Sequence, residues 1–196
     1  MNVSLKGDRM TIGGTTYTMK SLDRLQGNLH PKCFAHKSDD KALVFGGILS
    51  EWHTFSNWAT VKVVHNGIVF PTLEHAYFHT QAITFGDLDS AAAILAAPNA
   101  QSVKLLSYST RGVDKDQWNG MKQGVMKMLL KLKFSPGSDA AHELIATGNK
   151  KLAETGRNPF YACGMPITDK QVLDTSKWSG NVLGKLLCEI RDELRA

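Results

Sequence analysis

The apolar positions of this chain follow two patterns, and one gives way to the other near residue 70. Before it, β-branched residues come in short runs, Val61-Lys62-Val63-Val64 and Ile68-Val69-Phe70, joined by His65-Asn66-Gly67. Asn-Gly between two such runs is the strongest short-range hairpin signal a sequence offers. A smaller pair, Met10-Thr11-Ile12 and Thr15-Thr16-Tyr17-Thr18 about Gly13-Gly14, predicts a leading hairpin. Residues 20–41 mix Gly27, His30, Pro31, His36 and charges without a period, and read as an ordered linker or surface loop.

Beyond residue 70 the spacing turns helical. Pro71-Thr72 opens a helix with Thr72 as its N-cap, and Asp87 caps a short helix that stops near Pro98-Asn99. Further helices are expected over 99–107, 114–134, 138–147 and 180–194. The longest carries an apolar stripe of Trp118, Val125, Leu129 and Leu132, with Lys122, Lys127, Lys131 and Lys133 read as the solvated face opposite. Strands grouped early and helices grouped late predict an α+β fold: a mostly helical single domain with a few short antiparallel strands. Residues 1–41 form an N-terminal hairpin and linker extension in this reading, and 42–196 the domain itself.

Composition narrows the classes. A chain of 196 residues, 42% hydrophobic, can bury one full core. Cys33, Cys163 and Cys188 show neither metal-type spacing nor a paired disulfide framework, which favours a reducing compartment. No leader-like segment opens the chain and no apolar run reaches the ~20 residues of a membrane span, so a cytoplasmic protein without membrane contact is expected. The net charge of +5 suits a phosphate-bearing ligand or a polyanion.

One side chain stands out chemically. Glu74 falls in the first turn of the helix after Thr72, where free backbone N–H groups and the helix dipole favour the ionised carboxylate. Around it lies an ordered series of motifs. Phe55-Ser56-Asn57-Trp58, the apolar hairpin with its Asn-Gly, and Pro71-Thr72-Leu73-Glu74-His75 come first. Lys104 with Trp118 and Met126, then Lys133-Phe134, Thr147-Gly148 leading to Lys151-Leu152-Ala153-Glu154, and Gly180-Asn181-Val182-Leu183-Gly184 with Arg191 complete it. In this order and spacing, over residues 43–194, the chain resembles the NADAR family of YbiA-like N-glycosidases, which is linked to NAD and ADP-ribose metabolism.

The resemblance implies cleavage of a ribose–nitrogen bond without a cofactor or metal. Such a reaction passes through an oxocarbenium-like sugar, which one carboxylate stabilises while an acid protonates the departing nitrogen. Glu74 and Glu154 are the implied catalytic pair. Ser56, Asn57, Trp58, Gln81, Lys104, Trp118, Asn158, Tyr161 and Asn181 are the implied substrate-binding set, with Trp118 stacking on a base or walling the pocket. The ligand would be a nucleotide-type small molecule: ADP-ribose, NAD or a phosphoribosyl compound, or, on a third reading that uses the basic helix, ADP-ribosylated DNA. Each residue also has an ordinary reading: Glu74 as a capping carboxylate, Glu154 in an ion pair, Trp118 in the core, Asn181 and Gly184 at a helix start.

The chain departs from the family pattern at three polar places. Gln81 stands where many relatives carry a Lys, Asn158-Pro159-Phe160-Tyr161-Ala162 replaces an acid-containing D-x-x-W-G, and Ser107-Tyr108 replaces Gly-Arg. Amides still bind ribose hydroxyls but carry no charge for chemistry, which opens the alternative of a non-catalytic nucleotide-binding module, a sensor or sponge. Glu74-His75-x-x-x-His79 has the i,i+4 imidazole spacing of helical zinc sites, but the Glu lies outside the pair and no third ligand is evident. Cys163 beside Gly164 reads as a buried thiol rather than a nucleophile.

Overall fold

The computed structural model describes residues 3–6, 9–12, 15–18, 36–47 and 50–196. Strands β1 (Val3–Lys6), β2 (Arg9–Ile12) and β3 (Thr15–Thr18) form an antiparallel meander. Ile12 pairs with Thr15 at the expected hairpin, and a strand the pattern did not signal precedes it. Of the stretch read as a linker, residues 20–35 lie outside the described residues, and Lys37–Ser38 form β4 rather than loop.

β4 pairs antiparallel with β5 (Ala42–Phe45). β5 in turn runs parallel to β8 (Lys151–Glu154), so one pair departs from the all-antiparallel expectation. A parallel pair needs a long crossover, and here the crossover contains five of the six helices among the described residues. All four residues of β5 are buried, as a strand covered on both faces requires. The third sheet is the expected hairpin, β6 (Val63–His65) with β7 (Ile68–Phe70). Asn66 and Gly67 have φ of 50° and 78°, the two positive values a type I′ turn demands.

The helices start where the polar caps predicted. Thr72 caps α1 (Leu73–Thr84), Asp87 caps α2 (Leu88–Leu95), Asn99 caps α3 (Ala100–Ser107), Asp114 caps α4 (Lys115–Lys133) and Ser138 caps α5 (Asp139–Ala146). In each, the side-chain oxygen accepts a backbone N–H from the first turn. α6 (Val182–Arg195) begins after Asn181, held at a left-handed φ of 48°. α1 packs against α2, α3 and α4, while α6 covers β8 and leans on α4 and α5.

The phase of α4 differs from the expected one. Its buried face runs Trp118, Met126, Leu129, Leu130 and Lys133, while Leu132 is 39% exposed. The inner stripe therefore ends on Lys133, which sits in the core rather than on the solvated face. Lys122, Lys127 and Lys131 stay at the surface or partly so, and Lys127 and Lys131 pair with Glu189 and Glu193 of α6.

Candidate active site

The corner between β7 and α1 positions Glu74. Thr72 holds the helix start by accepting the His75 backbone N–H, and its hydroxyl pairs with His75 Nδ1 at 2.7 Å. The Ala97 carbonyl, 3.1 Å from His75 Nε2, can only accept, so Nε2 carries the proton and Nδ1 faces the Thr72 hydroxyl. Both imidazole nitrogens are thus engaged by the protein, and His79 packs on the Phe70 ring at 5.0 Å. The Glu74 N–H donates to the Asn57 carbonyl at 3.0 Å, which ties the Ser56-Asn57-Trp58 loop to the first turn of α1.

Glu74 opens on a cavity of about 170 Å³. Glu154, the last residue of β8, lines the same space, paired in register with Phe45 of β5. Asn57, Trp58, Lys104, Asn158 and Tyr161 complete its polar wall; Tyr77, Phe78 and Met126 complete the rest. Lys104 Nζ lies 4.7 Å from the Phe78 ring centroid and 5.5 Å from that of Tyr108, so its charge rests on aromatic faces beside the cavity.

The electrostatics differ from the sequence expectation at Glu74. Position in a first helical turn favours ionisation, yet burial pushes the Glu74 carboxyl up to about 7, with Lys104 and the Trp58 side chain pulling the other way. At 7% exposure the loss of water outweighs the helix start. Burial likewise raises Glu154 to about 7, the charge of Glu74 adds to the rise, and Lys133 opposes it. Two carboxyls that feel each other in one cavity titrate as a pair. The Tyr77 and Tyr161 hydroxyls meet at 2.7 Å. Burial raises both, Tyr161 to about 12, so they stay protonated donors at neutral pH.

The fold brings together Asn57, Trp58, Glu74, Lys104, Glu154, Asn158 and Tyr161 from the sequence-derived set, and leaves Ser56, Gln81, Trp118 and Asn181 off the cavity wall. Ser56 is buried, its Oγ accepting the Trp58 N–H and its carbonyl accepting from Lys133. Gln81 is buried two turns further along α1. Trp118 stands behind Tyr77, ring centroids 5.3 Å apart, and backs the wall rather than facing a base. Asn181 donates from Nδ2 to the Leu152 carbonyl at 2.9 Å, and Gly184 meets that same carbonyl so closely that a Cβ would collide with it. Those two residues fasten α6 to β8.

Asn57 Oδ1 is buried without a hydrogen-bond partner, an acceptor at the cavity with unused capacity. Asn158 Oδ1 accepts the N–H groups of Phe160 and Tyr161 at 2.9 and 3.1 Å, leaving only Nδ2 for a ligand. Sequence reasoning missed Tyr77, whose hydroxyl pairs with Tyr161; its place one turn past Glu74 on α1 was the available signal. Cys163 is fully buried and Cys188 partly so, both free thiols; burial raises Cys163, which keeps it a thiol. Among the described residues no helix is long and apolar enough to cross a membrane.

Comparison with known proteins adds the family. The chain is 29% identical over 148 residues to a protein named as an N-glycosidase in Acanthamoeba polyphaga mimivirus, covering 72% of this chain and 87% of that one. It is 27% identical over 147 residues to a riboflavin biosynthesis protein of Vibrio vulnificus, covering 74% of this chain but only 36% of that longer protein. The NMR structure of Escherichia coli YbiA superposes with a TM-score of 0.64 at 25% identity, over 85% of this chain and 92% of YbiA. The family model for the NADAR domain matches residues 34–195, and so this chain belongs to the NADAR family.

Proposed function

We propose that this protein is an N-glycosidase-like hydrolase that cleaves a ribose–nitrogen bond in an ADP-ribosyl or phosphoribosyl compound. The observation that carries the reading is the meeting of Glu74 and Glu154 across one small cavity, with both carboxyls raised to about 7. Pockets that engulf a drug-sized ligand run to roughly 300–1,000 Å³. A cavity of about 170 Å³ suits the sugar ring, with the base and phosphates lying across its rim.

Lys104 and Trp58 favour the charged form of Glu74, and a charged Glu74 holds the proton on Glu154. That asymmetry divides the labour. Glu154 gives its proton to the departing nitrogen as the C1–N bond breaks, and Glu74 stabilises the sugar cation left behind. Water then adds at C1, its proton returning to the carboxylate pair, so that ribose hydroxyl and free amine or base are the products. Asn57 Oδ1 accepts a ribose hydroxyl, Lys104 faces a phosphate, and Trp58, 39% exposed at the rim, stacks on the base. The mimivirus relative's name and that of the riboflavin biosynthesis relative support a ribosyl–nitrogen substrate class.

The test is turnover measured by mass spectrometry against NAD, ADP-ribose, ribosylamine phosphates and ADP-ribosylated DNA, for the native chain and Glu74→Gln. Release of a base or amine that stops in the variant supports the reading, and equal rates in both would sink it. A second reading rests on the amide of Asn158 at the cavity wall: nucleotide capture without turnover. Tight binding with every ligand recovered intact would select it. A steep loss of binding with added salt would point to a DNA-linked substrate, since each phosphate contact adds to the slope.

A further inference from the structure

Lys133 ends α4 but is only 2% exposed. Its Nζ donates to the Ser56 carbonyl at 2.7 Å and lies 5.3 Å from the Phe134 ring centroid. A buried ammonium costs several kcal/mol unless its surroundings compensate, and an apolar side chain of similar volume would fill the space at lower cost. The groups that face this one connect it to the site. Glu143 on α5 and Glu154 on β8 favour its charge, while His53, in the short 3₁₀ turn His53–Phe55, is lowered by burial and then by the Lys133 charge.

One cation is therefore tied to the loop that walls the carboxylate cavity. Through Ser56 it fixes the backbone leading to Asn57, whose carbonyl accepts the Glu74 N–H, and to Trp58 at the rim. Toward β8 its charge favours the ionised Glu154, opposing burial and the charge of Glu74. We propose that Lys133 is the positioning residue of this cavity, clamping the Ser56 carbonyl to set the Asn57–Trp58 rim and placing a buried positive charge behind the loop that walls the carboxylate pair. The kinetic consequence rests on the N-glycosidase reading; the electrostatic one stands without it. Burial brings Lys133 itself down to about 7, so its charge and the Glu154 proton exchange influence in the same pH range.

The experiment is a carboxyl-carbon NMR titration of Glu154, assigned with Glu154→Gln, in the native chain, Lys133→Met and Lys133→Arg. Removing a nearby cation raises a carboxyl, here by about one unit, and Arg, which keeps the charge, holds the midpoint near its native value. In a turning-over enzyme the alkaline limb of kcat/KM moves up with that midpoint in Lys133→Met, and kcat falls about tenfold. A packing role alone would lower stability and leave the midpoint where it was, and a folded Lys133→Met with an unmoved Glu154 overturns the proposal. Should Lys133→Met fail to fold, the Glu74→Gln chain decides, since Glu154 there has lost its carboxyl partner: the Glu154 carboxyl and Lys133 Nζ shifts must each show both titration steps, and a single-step curve for either overturns it. If no ribosyl compound is turned over, the hydrolase reading fails while the titration still judges Lys133.

Discussion

Two cavities meet the strand β8, and the larger is not the one equipped for chemistry. The space beside Lys151, Leu152, Asn181 and Gly184 measures about 450 Å³, against about 170 Å³ at the Glu74 cavity. In the larger one, polar groups are spent on structure. Asn181 Nδ2 binds the Leu152 carbonyl and Trp178 Nε1 donates to the Val172 carbonyl at 2.8 Å, with Asn181 Oδ1 the exception, buried without a partner. What the smaller one has and the larger lacks is ionisable chemistry: two carboxyls raised by burial, facing a hydroxyl pair of neutral tyrosines. Desolvated ionisable groups mark a reactive site better than volume does.

The sharpest way to break this contrast is Glu74→Gln. Turnover should fall by at least about 10³-fold, since the side chain facing the sugar cation loses its charge. Folding should strengthen at the same time, by about 2 kcal/mol at pH 8, because the variant no longer buries a carboxylate there. Urea melts beside the kinetic assay check both; a variant that is slow and also less stable would recast Glu74 as a structural cap. At the larger cavity the opposite signature is expected. Gly184→Ala drives a Cβ into the Leu152 backbone and should cost about 3 kcal/mol of stability, with kcat per folded molecule unchanged.

Next in size is the pH dependence. Glu74 and Glu154 bind protons more tightly folded than unfolded, so their contribution is complete below about 4.5 and is lost as pH rises through about 7. Lys133 is depressed, so its share runs the other way and is regained only as pH climbs from about 7 toward its ordinary value of 10.5. These three groups together make stability fall from pH 5 to pH 7 and recover in alkali. Denaturation midpoints at pH 5, 7 and 9 test this. In a Glu74→Gln, Glu154→Gln double variant the fall between pH 5 and 7 should largely vanish, and a slope that survives would assign it elsewhere.

Much of this molecule was legible because its signals are local. N-cap residues, the Asn-Gly turn and the first-turn place of Glu74 each depend on a few neighbours, and the helices begin where those neighbours said. β5 and β8 were not legible. Each is four residues long, and their pairing exists only once five helices have folded between them. The ionisation of Glu74 was misread for the same reason: the helix start is local, whereas the burial that outweighs it comes from distant elements. Lys133 is hidden by a shift of helical phase: the spacing puts Leu132 on the inner stripe and the lysine in solvent, and the fold reverses the two. The motif Gly180 to Gly184 was visible as a motif, but local spacing cannot tell a ligand cradle from a helix fastened to a strand.

A smaller effect is expected at the rim. Trp58→Ala removes a stacking surface worth about 1–3 kcal/mol per base, so KM should rise roughly tenfold or more with kcat within a few-fold. Trp118→Phe, behind Tyr77, should leave KM within about twofold. If the two variants exchange these effects, the base lies deeper than the rim and the cavity is larger in use than it stands.

The smallest expected effect discriminates the two functional readings most finely. Asn158 spends Oδ1 on the Phe160 and Tyr161 N–H groups, a task that an Asp carboxylate performs equally well. Asn158→Asp should therefore leave stability within about 0.5 kcal/mol, whereas Asn158→Ala should lose about 1 kcal/mol and loosen Tyr161 from its hydroxyl pairing with Tyr77. The new carboxylate also brings a like charge to Glu74 and Glu154, which should shift the pH profile of kcat upward by a few tenths of a unit. Turnover near pH 7 then changes by less than about threefold if Asn158 merely shapes the loop. A gain beyond tenfold would mean that the amide is what holds this pocket at binding, because the one property the substitution adds to an unchanged turn is charge.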